Sequence, residues 1–222
     1  MANEPVTTGP GDTKSLHEQG WKGQGYEWEN VTNPQKQRLS LAALKALGLP
    51  ESVRLLDYGC GDGVMTEFFS SQGFNAEGAD ISELVIDHNR QRFPHLKFEL
   101  VAPGSPAPYP DGSFDAIFCS EVVEHLYDTH AVFGEFSRLL RPGGLLLLTT
   151  PYHGLIKNVL IGLFFFDKHF NPTWQHIRFF NKKSLARICL DHNLSPVSWK
   201  TVGRIGPLAR SFFLTCTRTA TT

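Results

Sequence analysis

Several things are scarce or missing in these 222 residues, and each absence removes a class of protein. The four cysteines, Cys60, Cys119, Cys189 and Cys216, lie far apart and form no C-x-x-C pair, which argues against a zinc cluster and a disulfide framework and makes a reducing compartment the default. Lys and Arg number 21 against 22 Asp and Glu, so no surplus of positive charge exists to release counterions from nucleic acid or to hold an anionic membrane by electrostatics alone. No apolar run approaches the roughly 20 residues of a spanning helix. Residues 1–14 lack the apolar stretch of a secretory signal, and a cytoplasmic protein is expected. What is there reads as ordinary globular composition: 41% hydrophobic and 19% charged residues exclude a disordered chain, and the length suits one large domain.

Residues 1–14 are rich in Thr, Gly and Pro with little to bury, so a disordered tail is expected there, followed by one domain over 15–222. An aromatic arm (Trp21, Tyr26, Trp28) leads to Pro34 and a helical pattern over 35–47, stopped by Gly48 and Pro50. Short apolar runs then alternate with amphipathic stretches. The spacing predicts strands at 53–57, 74–79, 96–101, 114–119 and 145–149, with helices near 63–72, 82–92 and 129–140. This βαβ rhythm, and the unbroken apolarity of Leu145 to Leu148, predict an open, doubly wound, Rossmann-like α/β sheet buried on both faces. A helix near 183–192 and strands at 196–202 and 211–217 complete the prediction.

Val53 to Asp57 runs directly into Gly59-Cys60-Gly61-Asp62-Gly63, and a helix follows. Glycines in such a turn take left-handed angles and let a ligand approach the backbone beside a helix N-terminus. A tight turn without a ligand is the competing reading. Asp80 ends the second strand, where a carboxylate accepts both hydroxyls of a ribose, so a nucleoside-bearing cofactor is implied. A dinucleotide enzyme wants G-x-G-x-x-G, but Val64 stands at the third glycine position. Asp57 and Asp62 would repel a pyrophosphate and attract a cationic amino group. The ligand these residues suit is S-adenosylmethionine.

Here a family resemblance appears. Leu55-Leu56-Asp57-Tyr58-Gly59-Cys60-Gly61-Asp62-Gly63 resembles the first motif of class I S-adenosylmethionine-dependent methyltransferases. Gly78-Ala79-Asp80-Ile81-Ser82 resembles the end of their second strand, and Phe114-Asp115-Ala116-Ile117 with Arg141-Pro142-Gly143-Gly144 their fourth and fifth strand signatures. The resemblance covers about residues 35–150. It implies a seven-stranded sheet of order 3-2-1-4-5-7-6 with an antiparallel last strand, and a cofactor held by Asp57, Gly59, Cys60, Gly61, Asp80, Ile81 and Ser120. One departure is that 101–104 offers no acid for the adenine amine.

After strand four comes Ser120-Glu121-Val122-Val123-Glu124-His125. Read as a helical turn, Glu121, Glu124 and His125 share one face, with two oxygen ligands and one nitrogen for a divalent ion. The other reading is that they cap a helix and orient substrate. The string resembles the ubiquinone-biosynthesis O-methyltransferases and the small-RNA 2′-O-methyltransferases, in which the matching residues hold a magnesium-like ion (Mg2+). That resemblance makes Glu121, Glu124 and His125 the expected ligands, with His176 a candidate fourth. Methyl transfer asks for alignment of an acceptor oxygen and its deprotonation. Without a metal, His125 or His176 must act as general base.

The segment 155–168 is the most apolar of the chain and too short to span a membrane. Within an insertion over 152–172 it reads as a lid on an acceptor pocket, a patch seated in a membrane interface, or core. Asn33-Pro34, followed by Lys36 and Arg38, is similar to the leading helix of the ubiquinone-pathway enzymes, where an arginine approaches the cofactor carboxylate. Arg38 is the first candidate and Lys36 the second. The expectation is an O-methyltransferase for a small aromatic or isoprenoid acceptor. The alternatives are a small-RNA 2′-O-methyltransferase, disfavoured by the near-neutral charge, a nucleotide-dependent oxidoreductase, and a cofactor-binding module without activity.

Overall fold

The computed structural model describes residues 33–46, 48, 53–102, 104–170, 176–204 and 206–220. The expected tail over 1–14 and the aromatic arm lie outside these residues.

Seven strands form one sheet in the order β3-β2-β1-β4-β5-β7-β6. In chain order the elements are α1 (Asn33–Ala46), β1 (Arg54–Tyr58), α2 (Val64–Ser71), β2 (Asn75–Asp80), α3 (Glu83–Arg92), β3 (Lys97–Leu100) and β4 (Phe114–Ser120). Then follow α4 (Thr129–Leu139), β5 (Leu140–Pro151), α5 (Leu155–Phe164), α6 (Phe166–His169), α7 (Lys182–Asp191), β6 (Leu194–Val202) and β7 (Ser211–Arg218). Strands β1 to β5 are parallel, whereas β7 runs antiparallel to both β5 and β6.

Both faces of the central strands are covered, and the two-residue period divides their side chains. Leu56, Ile117, Leu146 and Leu148 pack against Phe133 and Phe136 of α4 and Leu185 of α7. Leu55, Phe118, Leu145 and Leu147 pack against Leu44 of α1 and Met65 and Phe69 of α2. Parallel strands sandwiched this way leave their carboxyl ends together at one edge, where the loops that carry chemistry collect. All four cysteines are buried and unpaired.

One boundary differs from the prediction. Strand β5 begins at Leu140, five residues before the apolar run, because Leu140 pairs with Phe114 and a register shift follows. Gly143 turns there with φ 78°, and a Cβ on Gly144 would lie 2.9 Å from the carbonyl oxygen of Arg141. The R-P-G-G string is therefore an irregularity at the start of the strand rather than a separate loop. At the far side, edge strand β6 carries its own register shift between Pro196 and Ser198.

Candidate functional site

β1 delivers the chain into the glycine turn. Gly59, Gly61 and Gly63 have φ of 77°, 50° and 73°, a region that disfavours residues with a Cβ. At Gly59 a Cβ would come within 2.4 Å of the Val122 side chain, so the loop after β4 closes directly over the turn. The amides of Gly59 and Cys60 both donate to Ala79 O, at 2.7 and 3.0 Å. This ties the turn to the end of β2, where buried Asp80 accepts from Gly61 N at 3.1 Å and Ser82 N at 3.0 Å. A carboxylate oxygen accepts more than one hydrogen bond, so both oxygens keep capacity for a ligand hydroxyl. Cys60 faces inward against Gly78 and is buried, which leaves only its backbone for a ligand. Ile81 is half-buried beside Asp80. Asn89 of α3, not singled out from the sequence, donates to Gly61 O at 2.6 Å and braces the turn from behind.

Asp57 is buried and accepts from Thr66 Oγ1 at 2.7 Å. Burial pushes its pKa up to about 7, opposed by the Thr66 hydrogen bond and reinforced by Asp62 and Asp80. Three mutually repelling acids around one turn favour a cationic ligand. The sign of the pH effect follows: the folded chain holds the Asp57 proton more tightly than the unfolded chain, so this contribution to stability is complete below about pH 4 and is lost as pH rises towards about 7. Asp57→Asn is expected to flatten the loss. Urea denaturation of the ligand-free protein at several pH values between 4.5 and 7.5 checks this, and identical slopes for both proteins contradict it.

The two candidates of the leading helix fall on different sides of α1. Arg38 is exposed and lines a recess beside β6. Lys36 is 1% exposed, and its Nζ donates to Ser120 Oγ at 2.8 Å and lies 3.9 Å from Glu121. Two residues along a helix are about 200° around it, so only one of the two side chains can face the sheet edge. Burial lowers the Lys36 pKa, while Glu121, Glu124 and Asp57 oppose that shift. Ser120 continues the chain of contacts to Thr149 Oγ1 at 2.9 Å, and Thr149 donates to Glu121 Oε1 at 2.7 Å. Thr149 was missed because two threonines ending an apolar strand carry no motif.

The helical-face reading of Glu121 is also corrected. Residues Val123–His125 form a short 3-10 turn, but Glu121 precedes it with φ 57° and sends its side chain to Thr149. Glu124, His125 and His176 come together instead, with ligand atoms within 4.8 Å of one another. Ile177 N and Arg178 N both donate to Glu124 O at 3.0 Å, which pins the 176–180 segment against the turn. The His125 and His176 rings sit 4.8 Å apart. Glu124 is fully buried. Its Oε2 accepts from Thr150 Oγ1 at 3.1 Å, while Oε1 has no hydrogen-bond partner. Burial, then Glu121, drive its pKa well above the usual carboxylate range. Burial lowers the pKa of His176, with Glu121 opposing, so this imidazole is neutral at pH 7.

The helices α5 and α6 and the Phe165 between them expose Leu155, Ile156, Leu163, Phe164, Phe165 and Phe166, and Ile161 alone of α5 is buried. The core reading of the insertion fails. No helix among the described residues is long and apolar enough to cross a membrane. Beneath α5, buried His153 pairs through Nδ1 with Asn158 Oδ1 at 3.1 Å and lies 5.4 Å, ring to ring, from His169. Burial pushes the His153 pKa down to about 4.

The family profile described as a methyltransferase domain matches residues 28–198. The chain belongs to that methyltransferase family. It is an S-adenosylmethionine-dependent methyltransferase. A ubiquinone biosynthesis O-methyltransferase of Methylococcus capsulatus is 25% identical over 97% of this methyltransferase and 92% of its own length. Among solved structures, the fold resembles a 1,6-didemethyltoxoflavin N1-methyltransferase of Burkholderia thailandensis with bound S-adenosylhomocysteine (TM-score 0.70, 18% identity, 99% of this chain and 94% of that one). It also resembles a magnesium protoporphyrin IX methyltransferase of Synechocystis with the same ligand (TM-score 0.71, 19% identity, 95% and 98%).

Proposed function

We propose that this methyltransferase carries the methyl group of S-adenosylmethionine to a hydroxyl of a small aromatic or isoprenoid molecule. The observation that carries the reading is the meeting of Glu124, His125 and His176 at the edge of the sheet, next to the Lys36–Ser120 contact. Asp80 takes the ribose hydroxyls, and the acids around the glycine turn favour the positive end of the donor. Where no metal is bound, the neutral imidazole of His176 accepts the proton of an acceptor hydroxyl, which keeps the oxygen nucleophilic for in-line attack. The relative's name, an O-methyltransferase of ubiquinone biosynthesis, agrees with an oxygen acceptor. The near-neutral charge of the chain disfavours RNA.

The orphaned Oε1 of Glu124 fits a cation, and Glu124, His125 and His176 are the residues that would hold it. Two imidazole nitrogens with one carboxylate oxygen suit manganese or zinc better than magnesium, which prefers oxygen. When bound, such an ion acts as a Lewis acid on a coordinated hydroxyl. Methyl transfer from labelled donor to a catechol series, with chelator and then with manganese, zinc or magnesium restored, tests both parts. Transfer to catechol oxygen supports the acceptor class, and transfer only to amines or carbon overturns it. Full activity in chelator removes the metal.

The exposed face of α5 and α6 supports peripheral contact with a membrane that presents a greasy acceptor. Vesicle co-sedimentation is expected to bring the protein down, and Leu163→Glu with Phe164→Glu to release it. A wild-type protein that stays in the supernatant with zwitterionic and anionic lipid alike contradicts this.

A further inference from the structure

At the end of β6 and the start of β7 lies the recess that Arg38 lines, about 540 Å³ in volume. Arg38, Lys182, Lys200 and Arg204 line it, and no Asp or Glu does. In a chain with 21 basic and 22 acidic residues, four cations around one recess without an acid are segregated charge. Arg38, Lys200 and Arg204 have no ion-pair partner among the described residues. Like charges gathered this way focus a positive potential that a bound anion relieves. Nearby Lys157 has its pKa lowered by burial first; Glu121 opposes the shift, and Arg204 adds to it.

The wall of the recess is aromatic. Phe212 packs against Tyr152 at 4.8 Å and against Trp199 at 5.6 Å between ring centroids, and Lys182 Nζ stands 5.1 Å from the Trp199 ring. Its floor is fixed by Gln35, whose Oε1 accepts from Gly203 N at 2.7 Å. Gly203 has φ 91°, and a Cβ there would come within 2.7 Å of the Arg210 side chain. Lys36 and Arg38 leave α1 in different directions: Lys36 reaches Ser120 Oγ, whereas Arg38 lines the recess.

We propose that this recess is a second binding site, for a soluble small molecule that carries both a phosphate and a planar ring. Two arginine forks and two lysines match the multiple acceptors of a phosphate dianion, and the Trp199–Phe212–Tyr152 wall offers a surface for a flat ring. The assignment is independent of the identity of the methyl acceptor.

The experiment is calorimetric titration of the full chain saturated with S-adenosylhomocysteine, which keeps adenine-bearing probes out of the donor site. AMP, adenosine and inorganic phosphate are the probes. AMP is expected to bind one to one, and adenosine at least about tenfold more weakly, because it lacks the charged group. Lys200→Glu combined with Arg204→Glu is expected to weaken AMP by at least about tenfold and to leave S-adenosylhomocysteine affinity unchanged, which also reports that the variant folds. The absence of saturable AMP binding, or equal AMP affinity in the double variant, overturns the proposal. So does a double variant that loses only its binding to phosphatidylglycerol vesicles, since the recess then serves a lipid surface.

Discussion

Asp80→Ala is expected to weaken S-adenosylhomocysteine binding by about 10²- to 10⁴-fold, since each of two hydrogen bonds from ligand hydroxyls to a carboxylate contributes about 1.5–3 kcal/mol. Asp80 already accepts from Gly61 and Ser82, so its removal also loosens the glycine turn at the point where the ligand lies. Asp80→Asn separates the two effects. The amide keeps an acceptor for one backbone N–H but loses the charge, so stability should recover more than affinity does. Thermal shift with S-adenosylhomocysteine reads the result, because a ligand that binds the folded state alone raises the melting temperature. An undiminished shift in Asp80→Ala means that the ribose is bound elsewhere.

Glu124→Gln is expected to divide stability from turnover. The amide keeps the Thr150 contact and the volume of the side chain and removes a buried acid beside Glu121, so the variant should be at least as stable as wild type near pH 7. Turnover should fall by at least about 10-fold, because the carboxylate oxygen that would hold the cation becomes an amide, while donor affinity stays unchanged. Glu124 makes its side-chain contact to Thr150 and none to the glycine turn. A variant with kcat within about threefold of wild type contradicts the role given to this cluster.

The sheet was readable from sequence because its signals are local and agree with one another. Leu55-Leu56 and Leu145 to Leu148 are apolar on both faces, as a buried parallel strand requires, and the glycines of the turn stand where the backbone takes left-handed angles. Asp80 was equally legible, since its place depends only on the end of one strand. What the sequence concealed depends on direction. Lys36 and Arg38 are two residues apart, and only the docking of α1 decides which faces inward. Glu121 shares a helical spacing with Glu124 and His125, but φ 57° at Glu121 breaks that spacing at its first residue. His176 joins His125 through hydrogen bonds from Ile177 and Arg178 to Glu124 O, partners some fifty residues apart that no local pattern encodes. The pairing of His153 with Asn158 was missed for a different reason: an apolar stretch draws attention to its nonpolar residues, and the buried polar contact beneath them goes unread.

The irregularity in β6 has a consequence for assembly. An unprotected edge strand is a template on which another chain can add its own backbone. Here the outermost ladder is interrupted between Pro196 and Ser198, proline has no N–H to offer, and Lys200 brings a charge to the same strand. An incoming strand would meet a broken row of donors and acceptors, so the antiparallel flank of this methyltransferase ends the sheet and resists growth into fibrils.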